Sequence, residues 1–288
     1  MEHPVADFMT ARVMVVRPQQ SLGHARELMT RHGIHALPVV DEEGGPLGIV
    51  TSTDFMRGLA EKEPVEKVLS GRVFQIANHE SLAIAARTMR NQGIHHLLVT
   101  ENGKVVGMLS CFDLLKQVAQ HRFVLRHNGN PMQADDGEGV WMSEEESRRV
   151  HIGVEDLMIR DVKTTYRHQP VGLVRKTMAE NGIHSLPVLE NDGSPLGIIT
   201  ASDLLDGLSD NTPVGAIMTE EVVTVPRYAP VQQAAQVMLE HGIHHVLVVH
   251  EKKVEGLLSS FDLLQLVTGF RFDIRNPHSK LDGGSPSD

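Results

Sequence analysis

Leu22, Ala25, Leu28 and Met29 recur at intervals of three and four, which puts them on one face of a helix, and Gly33 supplies the positive-φ stop that closes it. Two short apolar runs rich in β-branched residues follow, 36–40 and 47–51, around the turn-forming Asp41-Glu-Glu-Gly-Gly. That pattern predicts a β-hairpin. A strand near 13–16 precedes the helix, and a second helix is expected to begin after Thr51. The order strand, helix, strand, strand, helix leaves one apolar sheet face open, so such a unit must pair to bury it.

The same pattern returns. GIHALPVV at Gly33, GIHHLLVT at Gly93, GIHSLPVL at Gly182 and GIHHVLVV at Gly242 are four copies of one motif. Each is followed by a Gly-apolar-apolar-Thr/Ser-x-x-Asp motif, spanning Gly48 to Asp54, Gly107 to Asp113, Gly197 to Asp203 and Gly256 to Asp262. The copies are 60 residues apart within each half (Gly33 to Gly93, Gly182 to Gly242), and the halves are 149 apart (Gly33 to Gly182, Asp113 to Asp262). The unit is therefore a pair that was duplicated. Even copies share IHH and Ser-x-Phe-Asp, and odd copies share Pro38 and Pro187, so alternate copies are more alike than neighbours.

Between the halves, 120–152 breaks the pattern and reads as a linker, with loop-forming His127-Asn-Gly-Asn-Pro131 and a capping box at Ser143-Glu-Glu-Glu146. The last residues, 277–288, have the composition of a disordered tail. Arg122-Phe-Val-Leu-Arg126 and Arg271-Phe-Asp-Ile-Arg275 also recur at the 149 offset. Either they pack with Phe inward and Arg solvated, or they contact phosphate or the other half of the molecule.

Composition narrows the function. Aromatic residues make up only 4% of the 288, so the core must be aliphatic, and the chain offers little for base stacking. A net charge of −10 without a basic run speaks against nucleic acid as a partner. The single cysteine, Cys111, has no disulfide partner within the chain and no metal-ligand spacing, which fits a reducing compartment. No stretch approaches the 18 apolar residues a membrane span needs. The expectation is a cytoplasmic protein that does not cross a membrane.

Each Thr/Ser-x-x-Asp supports two compatible readings. As a capping box, the Thr51 hydroxyl satisfies a helix N–H and Asp54 favours the positive helix end. As a ligand site, the same helix N-terminus faces an anion while the carboxylate accepts the two hydroxyls of a ribose. All four copies use Asp rather than Glu: Asp54, Asp113, Asp203 and Asp262. Seventeen histidines raise the question of metal, but neighbours such as His95-His96 and His244-His245 point to opposite faces of a strand and cannot chelate together. Met29, Met89, Met178 and Met238 recur on the first helix as core residues. No GxSxG, P-loop or strand-GxGxxG-helix motif occurs, so no catalytic residues are assigned and no enzyme is expected.

Four copies of strand-helix-strand-strand-helix carrying GIHxLPVV and G-h-h-T/S-x-x-D resemble cystathionine-β-synthase (CBS) domains in two tandem pairs, the arrangement called a Bateman module. The resemblance implies an α/β fold of four β-α-β-β-α repeats at 5–60, 63–119, 153–209 and 213–268. It further implies a non-catalytic regulatory protein that binds AMP, ADP, ATP or S-adenosylmethionine in clefts between paired repeats and reports to an unidentified regulated protein. The implied binding residues are Thr51, Asp54, Ser110, Asp113, Thr200, Asp203, Ser259 and Asp262, with His35, His95, His184 and His244 facing the clefts. In the four-copy γ subunit of AMP-activated protein kinase, which the chain resembles in copy number, the corresponding His contacts phosphate and is often followed by Arg. Ala36, His96, Ser185 and His245 stand there instead, and fixed positive charge is missing. The alternative from another class is a scaffold or transporter-associated subunit with empty clefts. The pairs are expected to form a four-repeat disc, within one chain or in a homodimer. Finally, acidic Glu220-Glu221 before the fourth repeat leads us to expect weakest phosphate binding at the cleft built on Asp262, in contrast to Arg12, Arg72, Arg160 and Lys163 before the other three.

Overall fold

The first helix of every repeat starts and stops as its local sequence dictates. A computed structural model describes residues 4–57, 59–69, 71–120, 152–205 and 208–269. The linker and tail, the capping box at 143–146 and both Arg-Phe-x-x-Arg segments lie outside these residues. The first repeat opens with a two-residue strand, β1 (Thr10–Ala11), and goes on to α1 (Leu22–His32) and the hairpin β2 (Ala36–Val40) and β3 (Pro46–Thr51). The second repeat contains β4 (Gln75–Ala77), α2 (Leu82–Gln92), β5 (His96–Glu101), β6 (Lys104–Ser110) and α3 (Cys111–Gln120). The third has α4 (Val154–Leu157), β7 (Thr165–Tyr166), α5 (Val171–Asn181), β8 (Ser185–Leu189) and β9 (Pro195–Thr200). The fourth has β10 (Thr224–Pro226), α6 (Val231–His241), β11 (His245–His250), β12 (Lys253–Ser259) and α7 (Leu264–Gly269). α1, α2, α5 and α6 each end on a left-handed glycine: Gly33, Gly93, Gly182 and Gly242, with φ between 61° and 64°.

Each hairpin is antiparallel, and in the last three repeats the opening strand (β4, β7 or β10) joins it in parallel. In the first repeat the strand expected at 13–16 shrinks to a single parallel bridge, Val16 to Val39. The ladder stops there because the next N–H, of Arg17, turns to the Gln20 side chain at 2.6 Å and Pro18 has none to offer. The second helix also departs from expectation in the odd repeats. After β3 the chain makes a 3₁₀ turn, Ser52–Arg57, and after β9 it makes only turns over 201–204. Gly58 and Gly207, at equivalent positions, and Pro64 and Pro213 further on oppose continuation, since Gly and Pro are the poorest helix residues.

Paired repeats exchange their lead-in segments. Val5 donates its N–H to Glu80 O at 2.8 Å and β1 pairs with β6, while Val65 donates to Gln20 O at 2.8 Å. In the second pair Val154 donates to Ala229 O, and Val214 to Gln169 O, both at 2.8 Å. The invariant glycine of the second motif is explained by this crossing. A Cβ on Gly107 would lie 2.8 Å from Thr10 O, and one on Gly197 would lie 2.7 Å from Thr219 O, both backbone atoms that cannot yield. On Gly48 the nearest atom, at 2.8 Å, is the mobile end of the Leu69 side chain. Gly197→Ala should therefore lower the unfolding free energy by about 2–3 kcal/mol and Gly48→Ala by under about 1 kcal/mol, compared by urea denaturation. Equal losses would show that backbone approach is not what the glycine serves.

The two pairs meet through helices. α3 packs on α6 and α2 on α7, and one apolar core runs through both even repeats, from Ala85, Ala86 and Met89 to Ala234, Ala235 and Met238. Small alanines at the facing positions let these helices approach closely. The odd repeats keep separate cores that touch each other: Leu205 enters the core of the first repeat and Met56 packs on that of the third. The four repeats thus close into a ring within one chain.

Candidate functional site

The centre of that ring is where the repeated motifs converge. Each motif Asp lies one turn beyond a strand end, where its Oδ2 accepts from the N–H and hydroxyl of the preceding Thr or Ser. The distances are 2.8 and 2.9 Å for Asp54 with Thr51, 2.8 and 2.6 Å for Asp113 with Ser110, 2.7 and 2.8 Å for Asp203 with Thr200, and 2.8 and 2.6 Å for Asp262 with Ser259. In the even copies the Ser hydroxyl also receives the Asp N–H at 3.3 Å, completing the capping box. The odd copies differ from that expectation: Asp203 N–H goes to the Thr200 carbonyl at 3.2 Å, and Thr51 Oγ1 pairs with Thr53 Oγ1 at 2.8 Å. Tight turns favour the i→i+3 carbonyl, and with no α-helix behind them these two sites lack a helix N-terminus to hold an anion.

A cavity of about 600 Å³ joins the two pairs at the centre. Thr51, Asp54, Ser110, Thr200, Asp203, Ser259, His35, His95, His184 and His244 line it, and so do His96 and His245. Asp113 and Asp262 do not. The even copies carry Phe where the odd ones carry Thr53 and Ser202, and these rings, outside the lining, pack against histidines that are part of it. Phe261 stacks on His95 with centroids 4.7 Å apart, and Phe112 tilts against His244 at 4.9 Å.

The cavity has two related halves. Repeat 1 contributes Ile49, Thr51 and Asp54 to the first, and the lead-in to β4 adds Arg72 and Phe74 as it runs from β3, where Leu69 covers Gly48, to β5. In the second half Ile198, Thr200 and Asp203 of repeat 3 line the cavity together with Glu221 and Val223 of the next lead-in. That lead-in starts at the Thr219 bridge to Ile198 and reaches β11 through Val223. Glu221 thus lines the same cavity as Asp203, on a segment joined to repeat 3 by the Thr219–Ile198 bridge, and the sequence expectation had set it beside the cleft of Asp262. Arg72 and Glu221, expected from sequence to border clefts, do line the cavity, whereas Phe74 and Val223 were not recognised from sequence as cavity residues. Their signal was the 149-residue spacing that aligns Arg72 with Glu221 and Phe74 with Val223.

Burial sets the chemistry of the histidines. His35 and His244 meet edge to face with centroids 5.8 Å apart, and His95 and His184 do so at 5.1 Å. His35 Nδ1 is 2.8 Å from Ser202 Oγ, a hydrogen bond between the first and third repeats. Desolvation, with neighbouring imidazoles adding to it, lowers His95 to about 4 and His96 to about 3. His244 falls to about 4 and His245 to about 3 for the same reasons. His35 and His184 are also lowered by burial. All six are neutral at pH 7. Burial pushes Asp203 and Asp262 up against the hydrogen bonds that hold them down, and it raises the Cys111 thiol, which is packed in the core. Among the described residues no group of His, Cys, Asp and Glu has the arrangement to hold a metal ion, and no helix is long and apolar enough to cross a membrane.

The family model of the CBS domain matches residues 5–61, 65–120, 154–210 and 214–269. An uncharacterised protein of Methanocaldococcus jannaschii, MJ1404, is 23% identical across 94% of this chain, which spans 63% of that protein's length. The crystal structure of MJ1225 from the same organism, itself proposed as an archaeal homologue of γ-AMPK, superposes with a TM-score of 0.75 at 18% identity, covering 91% of this chain and 99% of that one. An uncharacterised conserved protein from Pyrococcus horikoshii superposes with a TM-score of 0.60 at 22% identity, over 92% of this chain and all of its own.

Proposed function

The chain belongs to the CBS domain family, and on that premise we propose that it is a cytoplasmic, non-catalytic sensor that binds adenosine-containing ligands (AMP, ADP, ATP or S-adenosylmethionine) in the central cavity and reports them to a regulated protein. The observation that carries this reading is the pairing, in each half of one cavity, of a motif carboxylate with apolar walls. Asp54 stands with Ile49 and Phe74, and Asp203 with Ile198 and Val223. In each, the hydrogen bonds from Thr51 or Thr200 end on Oδ2, and this fixes the carboxylate so that it can accept a ribose diol. The apolar walls suit a purine face. Four repeats contribute to the lining, so a ligand that fits one arrangement of them better than another shifts the whole ring and, through its surface, a partner.

The reading ranks the four carboxylates. Asp54→Ala and Asp203→Ala should each weaken binding in their half by at least about tenfold, the worth of a charge-assisted hydrogen bond, whereas Asp113 and Asp262 lie outside the cavity lining and their Ala variants should bind within about twofold of wild type. Titration calorimetry with AMP and S-adenosylmethionine measures this, after mass spectrometry of small molecules released on denaturing the purified protein. Binding unaffected by Asp54→Ala and Asp203→Ala would refute the assignment. No binding of either ligand would favour a scaffold with empty clefts.

A further inference from the structure

Resting on that reading, we infer that the two halves of the cavity are specialised by charge: the Asp54 half takes a phosphorylated adenosine ligand, and the Asp203 half takes an uncharged or cationic one. Apart from the histidines and Cys111, whose thiol burial keeps protonated, four of the described lining residues are ionisable: Asp54, Arg72, Asp203 and Glu221. Arg72 and Glu221 occupy equivalent places 149 residues apart, on lead-in segments that cross their halves in the same way. The first half therefore holds one carboxylate and one guanidinium, and the second holds two carboxylates. The central histidines do not even out this difference, because burial keeps them neutral near pH 7.

The neighbouring position reinforces the contrast. Phe74 carries the Arg72 guanidinium 5.3 Å above its ring, which steadies the cation beside the first half. Its counterpart is Val223, smaller and unable to hold a cation in that way. A phosphate entering the first half meets Arg72. In the second half it would meet Glu221 in addition to Asp203, and in a partly desolvated cavity reversing one lining charge changes affinity by more than about tenfold. The sulfonium of S-adenosylmethionine, or a 5′-thioether without charge, incurs no such repulsion there and gains attraction if cationic.

The test uses the full chain in titration calorimetry with AMP and S-adenosylmethionine, alone and each in the presence of the other at saturation. The expected result is one AMP and one S-adenosylmethionine per chain, binding without mutual competition. Arg72→Glu should weaken AMP at least about tenfold and leave S-adenosylmethionine within about twofold. Glu221→Arg should raise AMP stoichiometry to two and weaken S-adenosylmethionine at least about tenfold. Urea denaturation of both variants confirms that they fold. Competition of the two ligands for one shared site would overturn the inference, as would AMP affinities that both charge variants leave within about twofold. If neither ligand binds the wild-type chain, the ligand-sensor reading itself fails, a result distinct from binding that ignores the charge variants.

Discussion

Acidification from about pH 7.5 to about pH 4.5 should remove several kcal/mol of stability, enough to open the centre of the molecule or unfold it outright. The imidazoles of His95, His96, His244 and His245 titrate at about 4, 3, 4 and 3 in the fold, against 6.5 when solvated. Below 6.5 the unfolded chain takes up protons that the folded chain refuses. Stability therefore falls as pH falls between 6.5 and about 4, and is unaffected by these groups above that window. Each imidazole contributes about 1.4 kcal/mol per pH unit across it. Asp203 and Asp262 work in the other direction, since burial raises them and their protonation at low pH relieves that penalty, but they are two against six lowered histidines, His35 and His184 included. Urea denaturation in steps of pH gives the slope directly, and replacing His96 and His245 together with Gln should flatten it. A midpoint that does not move between about pH 7.5 and pH 5 would mean these imidazoles are not neutral in the fold.

Leu264→Ala should be felt across the whole ring and not only in the fourth repeat. Leu264 is 1% exposed, lies on α7 and belongs to the core shared with Ala85, Ala86 and Met89 of the second repeat, against whose helix α7 packs. Truncating a buried leucine costs about 2–5 kcal/mol, the spread reflecting how far the surroundings collapse into the space. Because one core serves both even repeats, the loss should appear as a single cooperative transition moved to lower urea. It should also lower amide hydrogen-exchange protection in β5 of the other pair, at Leu97, Leu98 and Val99. Val188→Ala, within the separate core of the third repeat, is the comparison and should leave β5 protection nearly unchanged. Unaltered β5 protection in Leu264→Ala would show that the pairs are energetically independent.

The second helices show where pattern reading stopped short. The even copies continue from Cys111 into α3 with apolar residues at helical spacing, Leu114, Leu115 and Val118, all buried. The odd copies begin with the same motif and the same Asp but lack a continuing apolar face before Gly58 and Gly207. Helical order there had no partner helix to pack on, and a short segment without packing does not hold a helix. In the even copies the partner is the other pair, as shown by α3 on α6 and α2 on α7.

What the chain determines by its sequence alone is whatever depends on near neighbours: four helices stopped by glycine, four hairpins, the Thr/Ser–Asp hydrogen bonds and the nested duplication that assigns the family. These rest on backbone sterics and on contacts within a few residues, so they can be read locally. The convergence of His35, His95, His184 and His244, the separation of Asp54 and Asp203 from Asp113 and Asp262, and the presence of Arg72 and Glu221 in one cavity were decided by tertiary structure. Each depends on which lead-in segment crosses to which repeat and on two rings, Phe261 and Phe112, packed against His95 and His244. Such contacts join residues up to 209 positions apart, as between His35 and His244. Their energy comes from burial shared among distant segments, which leaves no periodicity in the sequence to reveal it.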